Sequence, residues 1–214
     1  DSIHRLVMAS EFKDEDTGNH IVRIGKYSRV MAQKLEWPQK EVEAIHYAAP
    51  MHDVGKIGIP DRIMQKPGKL TDDEFDIIKS HTTIGARLLS RSKSGILKMA
   101  KEIALSHHEK YNGTGYPSRL AGDDIPVSGR IVAIADTFDA LTSKRPYKDP
   151  YPPEMALDII RNERGEHFDP EITDLFLEHF DEFLNIRETI GAFEEVDLAN
   201  FMLSDRDKEM FSTK

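Results

Sequence analysis

The stretch AIHYAAPMHDVGKIGIP, residues 44–60, runs from an apolar helical segment through a His-Asp pair into a turn that contains two glycines. Burying a polar side chain without a partner is costly, so His52 and Asp53 must be paired or must bind a ligand. Pro50 lacks a backbone donor, and we expect the helix to bend or loosen there. A hydrogen bond between the two side chains at a helix end is the simpler explanation. The other is a metal pair, which the carboxylate would bridge while the imidazole binds one ion.

Composition narrows the classes of partner and of metal site. The 214 residues carry 29 Lys and Arg against 38 Asp and Glu, a formal net charge of −9, which argues against binding of a nucleic-acid polymer. The absence of cysteine excludes disulfides, thiolate metal sites and cysteine nucleophiles. Any metal must be held by His, Asp and Glu, which suit iron, manganese, zinc or a similar ion. No apolar run approaches the roughly 20 residues that cross a bilayer, so no membrane insertion is expected.

Hydrophobic residues recur at helical spacing along most of the chain. Steps of three and four predict helices over these ranges: 21–37, 39–53, 96–106, 131–141 and 172–180. Thr71 and Glu74 form a capping box, which predicts a further helix that continues past His81 to about Ser90. Alternating patterns, typical of strands, are scarce. We therefore predict an all-α domain, a helical bundle with two long functional loops at residues 55–70 and 110–128, both rich in Gly and Pro.

The nine histidines are unevenly placed. Four have no carboxylate companion in a motif and are interpreted as surface or core-edge residues: His4, His46, His167 and His179. Five stand in polar motifs: His20, His52, His81, His107 and His108. Asp136 interrupts the apolar stretch RIVAIADTFDAL, residues 130–141, where a carboxylate is normally paired or metal-bound. We interpret Asp136 as a ligand and Asp139, three residues on, as structural. The five histidines with Asp53 and Asp136 predict a site for two or three metal ions.

Four motifs occur in one order: HDVGKIGIPD at 52–61, SHTTIGARLL at 80–89, HHEKYNGTGYP at 107–117 and ADTFDALTSKRPYK at 135–148. Together they resemble the HD-GYP branch of the HD phosphohydrolases, over roughly residues 10 to 180. This resemblance implies an all-α HD-domain bundle that depends on bound metal, and a bacterial signalling enzyme. Members of this branch that are characterised as active hydrolyse the second messenger cyclic di-GMP.

The resemblance implies a role for each matching residue. One metal would be held by His20, His52, Asp53 and Asp136, with Asp53 bridging to the second. His81 and His107 would serve the second ion, and His108 would complete that ion or a third. Asp53 and Lys56 would be the catalytic pair, with Lys56 facing the scissile phosphate. Arg145 and Lys148, in KRPYK, would contact phosphate or guanine. The ions, two or three in number, would be iron or, alternatively, manganese.

Two positions depart from the family pattern. Asp16 stands where members with three metals often carry Glu, and its side chain is one methylene shorter, which puts a third metal in doubt. Asn112 stands where the family commonly has Asp; asparagine keeps the tendency to form a turn but loses a charge, so we expect a modest effect.

The expected reaction is hydrolysis of cyclic di-GMP to linear pGpG, to GMP or to both, by attack of a metal-bound hydroxide. Neither a GxxxxGK[ST] loop nor a Gly-x-Ser-x-Gly elbow is present, which leaves metal chemistry as the economical mechanism. Two alternatives stay open. One is a non-catalytic receptor for a cyclic dinucleotide or a partner protein. The other is a hydrolase of a mixed cyclic dinucleotide such as cyclic GMP-AMP.

The resemblance also predicts an organisation in three parts. Residues 1–13 would be a connecting helix from an upstream receiver or sensory module, 14–185 the catalytic domain and 186–214 a C-terminal extension. The chain begins with Asp1 rather than Met, which suggests a fragment of a longer polypeptide. A homodimer through the first helix and a protein-partner surface at the Gly-Tyr-Pro loop, residues 113–117, are hypotheses. A cytoplasmic location is expected.

Overall fold

The computed structural model describes residues 7, 18–144 and 149–191, and ten α-helices have both ends inside these ranges. They are α1 (Gly18–Lys34), α2 (Gln39–Ala48), α3 (Asp61–Met64), α4 (Asp72–Lys79), α5 (His81–Leu88), α6 (Gly95–Ser106), α7 (Val127–Thr142), α8 (Pro153–Asn162), α9 (Pro170–Glu178) and α10 (Phe180–Gly191). Three 3-10 helices span Ala49–Met51, Val54–Gly58 and Gly122–Asp124. No β-strand occurs in the described ranges, only an isolated bridge between Arg164 and Phe168. The prediction of an all-α fold is confirmed.

Helix α1 lies at the centre of the bundle and packs against α2, α7 and α10. Its apolar residues follow the predicted spacing, and Ile21, Ile24, Tyr27 and Met31 are each at most 2% exposed. Such a stripe stabilises a helix mainly through burial, because an isolated helix of this length is marginal in water. Burial of this face fixes the direction of the polar residues at the start of the helix, among them His20.

An aromatic cluster connects α1, α7, α9 and α10 in the core. Tyr27, Phe138, Phe176 and Phe183 are each at most 1% exposed, and their ring centroids lie 4.8–6.3 Å apart. Each fully buried side chain of this kind contributes roughly 1.5–3 kcal/mol of transfer free energy. The cluster therefore holds α7, which carries Asp136, firmly against α1.

The helix predicted over residues 39–53 ends at Ala48, and the chain continues as the 3-10 helix Ala49–Met51. Pro50 lies inside that 3-10 turn, as expected from its missing donor, and is fully buried among the core residues. The backbone then leaves the helical region at Asp53, at φ −102° and ψ 8°.

The helix predicted from Thr71 to about Ser90 is interrupted. Its capping box is confirmed, because Glu74 N donates to Thr71 Oγ1 and Thr71 N donates to the Glu74 carboxylate. The helix then ends at Lys79, and α5 begins at His81. At the break, Ser80 Oγ and the His81 ring donate to the carbonyls of Ile77 and Ile78, at 2.6 and 2.7 Å. These bonds satisfy carbonyl groups at the helix end.

The segment predicted as one helix through Phe180 is two helices separated by His179, whose backbone leaves the helical region at φ −109° and ψ 21°. Helix α10 then runs from Phe180 through residue 185 to Gly191, so the predicted domain boundary falls inside a helix and stays a prediction. Of the predicted connecting helix 1–13, only Val7 is described, and it is buried. None of the helices in the described ranges has the length and apolar character needed to cross a membrane.

Candidate metal centre and its flanking loop

Two groups of His and Asp side chains each present ligand atoms within 4.8 Å of one another. The first group contains His20, His52 and Asp136, and the second contains Asp53, His81, His107 and His108. These side chains come from the start of α1, the turn after Met51, the start of α5, the end of α6 and the middle of α7. The fold thus converges five separate segments on one place.

Three of the histidines have the same arrangement, in which Nδ1 lies against a backbone carbonyl one turn earlier. The pairs are His52 with Ala49 at 3.0 Å, His81 with Ile78 at 2.7 Å and His107 with Ile103 at 3.1 Å. A carbonyl oxygen can only accept, so each neutral ring carries its proton on Nδ1 and a lone pair on Nε2. The Nε2 atoms of His81 and His107 lie 3.5 Å apart. Two lone pairs that face each other at this distance are arranged for a cation between them.

His20 is oriented by a carboxylate instead. Its Nδ1 lies 2.8 Å from Asp139 Oδ2, and Arg23 donates to both oxygens of the same carboxylate, at 2.5 and 2.8 Å. Burial would raise the pKa of Asp139, but Arg23 and then His20 outweigh it and hold the pKa below its ordinary value. An ionised Asp139 accepts the Nδ1 proton, which leaves the lone pair of His20 Nε2 on the side of Asp136, 3.8 Å away.

Asp53 lies between the two groups. Its Oδ2 is 3.2 Å from Nε2 of His52, in the first group, and its Oδ1 is 3.1 and 3.5 Å from Nε2 of His81 and His107, in the second. Lys56 Nζ is 2.7 Å from Oδ2. Burial would raise the pKa of Asp53, but Lys56 and then His52 hold the pKa well below its ordinary value. The carboxylate is therefore ionised and directs one oxygen towards each group.

The close approach of Asp53 to His81 depends on Gly55. A Cβ added at Gly55 would lie 1.8 Å from the backbone oxygen of His81 and 2.5 Å from the amide nitrogen of Gly85. Because only a residue without Cβ fits there, the 3-10 helix Val54–Gly58 packs directly on the first turn of α5. This contact brings the two segments that supply Asp53 and His81 together.

The residues of both groups fit divalent metal ions. Burial lowers the pKa of His107, and burial with the neighbouring His107 lowers that of His108, so these rings are neutral at pH 7 and competent as ligands. Imidazole and carboxylate donors without thiolate suit iron, manganese or zinc. Asp53, with one oxygen towards each group, matches the bridging carboxylate expected for a dinuclear centre.

The glycine-rich loop after the paired histidines folds back over them. Tyr116 N donates to the His108 carbonyl at 3.1 Å, and the Tyr116 ring stacks on the His108 ring with centroids 4.7 Å apart. A Cβ at Gly115 would lie 2.3 Å from the Lys110 nitrogen, so the loop lies directly on the backbone beneath it. Burial raises the pKa of Tyr116, and Asp53 and Asp136 raise it further, so the phenol stays protonated.

Glu109 holds this loop in place. Its side chain is 2% exposed, and its two oxygens accept from the amides of Ser118 at 2.7 Å and Leu120 at 3.1 Å. A buried carboxylate that takes two backbone donors is a strong, charge-assisted clamp. The glycine-rich loop therefore has a fixed position over His108.

The structure brings together seven of the predicted ligands: His20, His52, Asp53, His81, His107, His108 and Asp136. Neither group includes His46, His167 or His179. The predicted residues Asp16, Arg145 and Lys148 lie outside the described residues. Sequence reasoning treated Asp139 only as structural and gave Glu109 and Tyr116 no individual role. The signals were present, because Asp139 lies one helical turn after Asp136 and Glu109 directly follows the histidine pair.

Comparison with known proteins gives three findings. A family profile described as HD domain matches residues 8–172. The chain is 51% identical over 172 residues to a cyclic di-GMP phosphodiesterase of Thermotoga maritima, covering 80% of this chain and 47% of that protein. It is 46% identical over 188 residues to the 3'3'-cGAMP-specific phosphodiesterase 2 of Vibrio cholerae, covering 88% of this chain and 36% of that protein. The chain spans less than half the length of these two relatives.

A solved structure of a cyclic GMP-AMP specific phosphodiesterase of Vibrio cholerae superposes with a TM-score of 0.62. The superposition covers 88% of this chain and 53% of the other, at 20% sequence identity. At this identity the likeness shows a shared helical fold.

Proposed function

The chain belongs to the HD-domain family, in its HD-GYP branch, and from this premise and the two-group centre we propose that it is a metal-dependent phosphodiesterase that hydrolyses cyclic di-GMP. The single observation that carries the proposal is the position of Asp53. Its two oxygens face two separate sets of buried histidines, an arrangement that a lone structural hydrogen bond does not require. The curated relative from Thermotoga maritima, named a cyclic di-GMP phosphodiesterase, supports the choice of substrate.

We propose that His20, His52 and Asp136 hold one ion and His81, His107 and His108 the other, with Asp53 contacting both. Iron is the expected metal and manganese the alternative, as the family resemblance implies, and the imidazole and carboxylate donors suit both. Ions bound there would supply Lewis acidity, which acidifies water and neutralises charge on phosphoryl oxygens.

Hydrolysis breaks one P–O ester bond and forms one P–O bond to the oxygen of water, so it leaves a terminal phosphate and a ribose hydroxyl. The Lys56 ammonium, 2.7 Å from Asp53 Oδ2, is placed to donate to a phosphoryl oxygen as negative charge develops. Tyr116 keeps its proton and covers His108, so it excludes water from that side and offers a hydrogen-bond donor. Asp139 holds the imidazole of His20 in the tautomer whose Nε2 can bind a metal.

A mixed cyclic dinucleotide is the second candidate substrate. The relative that is 46% identical is named a 3'3'-cGAMP-specific phosphodiesterase, whereas the relative from Thermotoga maritima is named a cyclic di-GMP phosphodiesterase. Two proteins that are both similar to this chain are therefore named for different dinucleotides. Arg145 and Lys148, which we propose as contacts for phosphate or guanine, would take part in this choice.

The test uses metal-replete protein, prepared without oxygen and loaded with Fe(II) or Mn(II). Cyclic di-GMP, 3'3'-cyclic GMP-AMP and cyclic di-AMP are offered separately, and products are separated by chromatography. We expect turnover of cyclic di-GMP to pGpG, GMP or both, and its loss in Asp53→Asn, which keeps the shape of the side chain but loses its charge. Binding of cyclic di-GMP without turnover by either metal form would replace the proposal with the receptor function. Faster turnover of the mixed dinucleotide would change the substrate but keep the chemistry.

A further inference from the structure

Helix α4 carries an aromatic side chain that the core does not use. Phe75 is 45% exposed, and none of the residues from Asp72 to Lys79 is buried. An exposed hydrophobic residue alone is ordinary. Phe75 differs because it lies beside the candidate metal centre and touches other groups there.

The first turn of α4 is tied to the segment that precedes the helix. The Glu74 carboxylate accepts from Thr71 N at 2.8 Å and from Lys66 Nζ at 2.6 and 2.8 Å. Because these bonds tie the first turn of the helix to the preceding segment, Phe75 stands on a fixed support rather than on a loose loop.

Phe75 connects to the metal centre through Tyr116. The two ring centroids are 6.4 Å apart at an angle of 76°, and Tyr116 in turn stacks on His108. Lys79 Nζ lies 4.7 Å from the Phe75 centroid and 5.9 Å from that of Tyr116, while it also pairs with Asp76 Oδ1 at 2.7 Å. The surface that begins at the metal ligand His108 therefore continues through two aromatic rings with a cation over them.

We propose that Phe75, with Tyr116 and Lys79 beside it, forms a shelf on which one purine base of the dinucleotide stacks against the Phe75 ring; this rests on the function proposed above. Stacking needs a rigid aromatic surface that stays partly exposed, which the 45% exposure of Phe75 provides with both neighbours in place. A cation beside the rings suits an anionic nucleotide, in a chain whose formal net charge is −9. The shelf binds the base while the phosphate lies at the metal centre.

Helix α4 supplies a matched control. Ile77 is 39% exposed on the same helix, close to the value for Phe75, yet it has no aromatic ring on which a base could stack. Phe75→Ala and Ile77→Ala remove comparable apolar surface from one helix. An effect of Phe75→Ala that Ile77→Ala lacks cannot come from the loss of surface hydrophobicity or from fraying of the helix.

The experiment measures both steady-state kinetics with cyclic di-GMP and the binding of two product-like probes by calorimetry. GMP contains a base, whereas ribose 5-phosphate has the sugar and phosphate alone. We expect Phe75→Ala to raise KM roughly 5- to 150-fold with little change in kcat, the range expected for the loss of one stacked base. Phe75→Ala should weaken the binding of GMP to a similar extent and leave the binding of ribose 5-phosphate unchanged. Phe75→Trp should restore binding, and Ile77→Ala should match the wild type.

The outcomes separate this inference from the proposed function. If the wild-type protein binds GMP but hydrolyses no cyclic dinucleotide, the proposed function is wrong. The comparison of GMP with ribose 5-phosphate still tests the shelf in that case. Equal weakening of both probes in Phe75→Ala, equal effects of Phe75→Ala and Ile77→Ala, or KM and GMP affinity within twofold of wild type would each overturn the shelf.

Discussion

The carboxylate of Asp139 accepts a hydrogen bond from His20 Nδ1 at 2.8 Å while Arg23 donates to both of its oxygens. Asp139 is 1% exposed, so this network lies within the core between α1 and α7. The network sets the orientation of the His20 ring, because the ionised carboxylate fixes the proton of His20 on Nδ1 and directs Nε2 towards Asp136 and His52.

Asp139→Asn is expected to weaken metal binding by the first group about 10- to 100-fold, the usual effect of losing a carboxylate behind a ligating histidine. It should also lower the free energy of unfolding by roughly 3–5 kcal/mol, because the buried Arg23 guanidinium loses the carboxylate charge that it faces. Competition with a chromophoric chelator measures the first effect, and urea unfolding the second. Ser143→Ala is the control. Ser143 Oγ lies 3.3 Å from Asp139, and its removal leaves the bond between Asp139 and His20 intact. Metal affinity equal to wild type in Asp139→Asn contradicts the prediction.

Gly55→Ala should destabilise the protein by about 1–3 kcal/mol or more, since its Cβ would overlap the His81 carbonyl and push α5 from the 3-10 helix. The metal affinity of the second group should fall as well, because Asp53 and His81 would move apart. Gly95→Ala, at the start of α6 with nothing within 4 Å of an added Cβ, should be neutral or slightly stabilising. Urea unfolding of the three proteins measures the difference. Equal stability of the two variants would show that the contact at Gly55 is less tight than described.

Glu109→Gln should loosen the loop over His108. A glutamine has one accepting oxygen, and its amide group cannot accept from the second backbone N–H, so one of the amides of Ser118 and Leu120 loses its partner. Amide hydrogen exchange of this loop should accelerate at least about fivefold, in line with the loss of roughly 1 kcal/mol or more. Thr114→Ala lies in the same loop and removes a hydroxyl that donates to exposed Asn112, so it should leave the exchange of these two amides unchanged. Unaltered exchange in Glu109→Gln would mean that the loop is held by other contacts.

His167 should make the stability of the protein depend on pH. Burial and then the nearby Lys110 lower the pKa of His167 to about 4, although Asp136 acts in the opposite direction. An unfolded histidine has a pKa of about 6.5, so between these values the unfolded chain binds the proton more readily than the folded one. The contribution of His167 is therefore complete above about pH 6.5 and is lost as the pH falls towards 4.

The measurement compares wild type with His167→Phe, which cannot titrate and retains the ring that stacks on Phe168. Between pH 7 and pH 5, the wild type should lose about 2 kcal/mol more unfolding free energy than the variant. Every other titratable group is the same in both proteins, so the difference isolates His167. Parallel pH profiles of the two proteins would rule out a lowered pKa at this position.

The helical fold and the seven residues of the candidate metal centre could be predicted from the chain because they depend on local pattern and on motif chemistry. The spacing of Ile21, Ile24 and Tyr27 predicts the buried face of α1. Polar side chains set in an apolar helix need a hydrogen-bond or metal partner, whichever way the helix packs. The interruptions at Ser80 and His179 were missed, because periodicity continues across both. At Ser80 the helix is ended by side-chain hydrogen bonds to carbonyls of the preceding turn. The spacing of hydrophobic residues does not indicate such bonds.

The sequence by itself determined which residue types make up the candidate metal centre: five histidines and two aspartates, without cysteine, set in helices whose apolar faces must be buried. Only the tertiary structure decided how they meet. Asp53 lies between two groups because Gly55 allows the turn that carries it to contact α5. His20 is held by Asp139, which lies 119 positions away. Phe75 reaches the centre through Tyr116. Each of these contacts joins residues far apart in the chain, and their distances follow from how helices pack rather than from any local propensity.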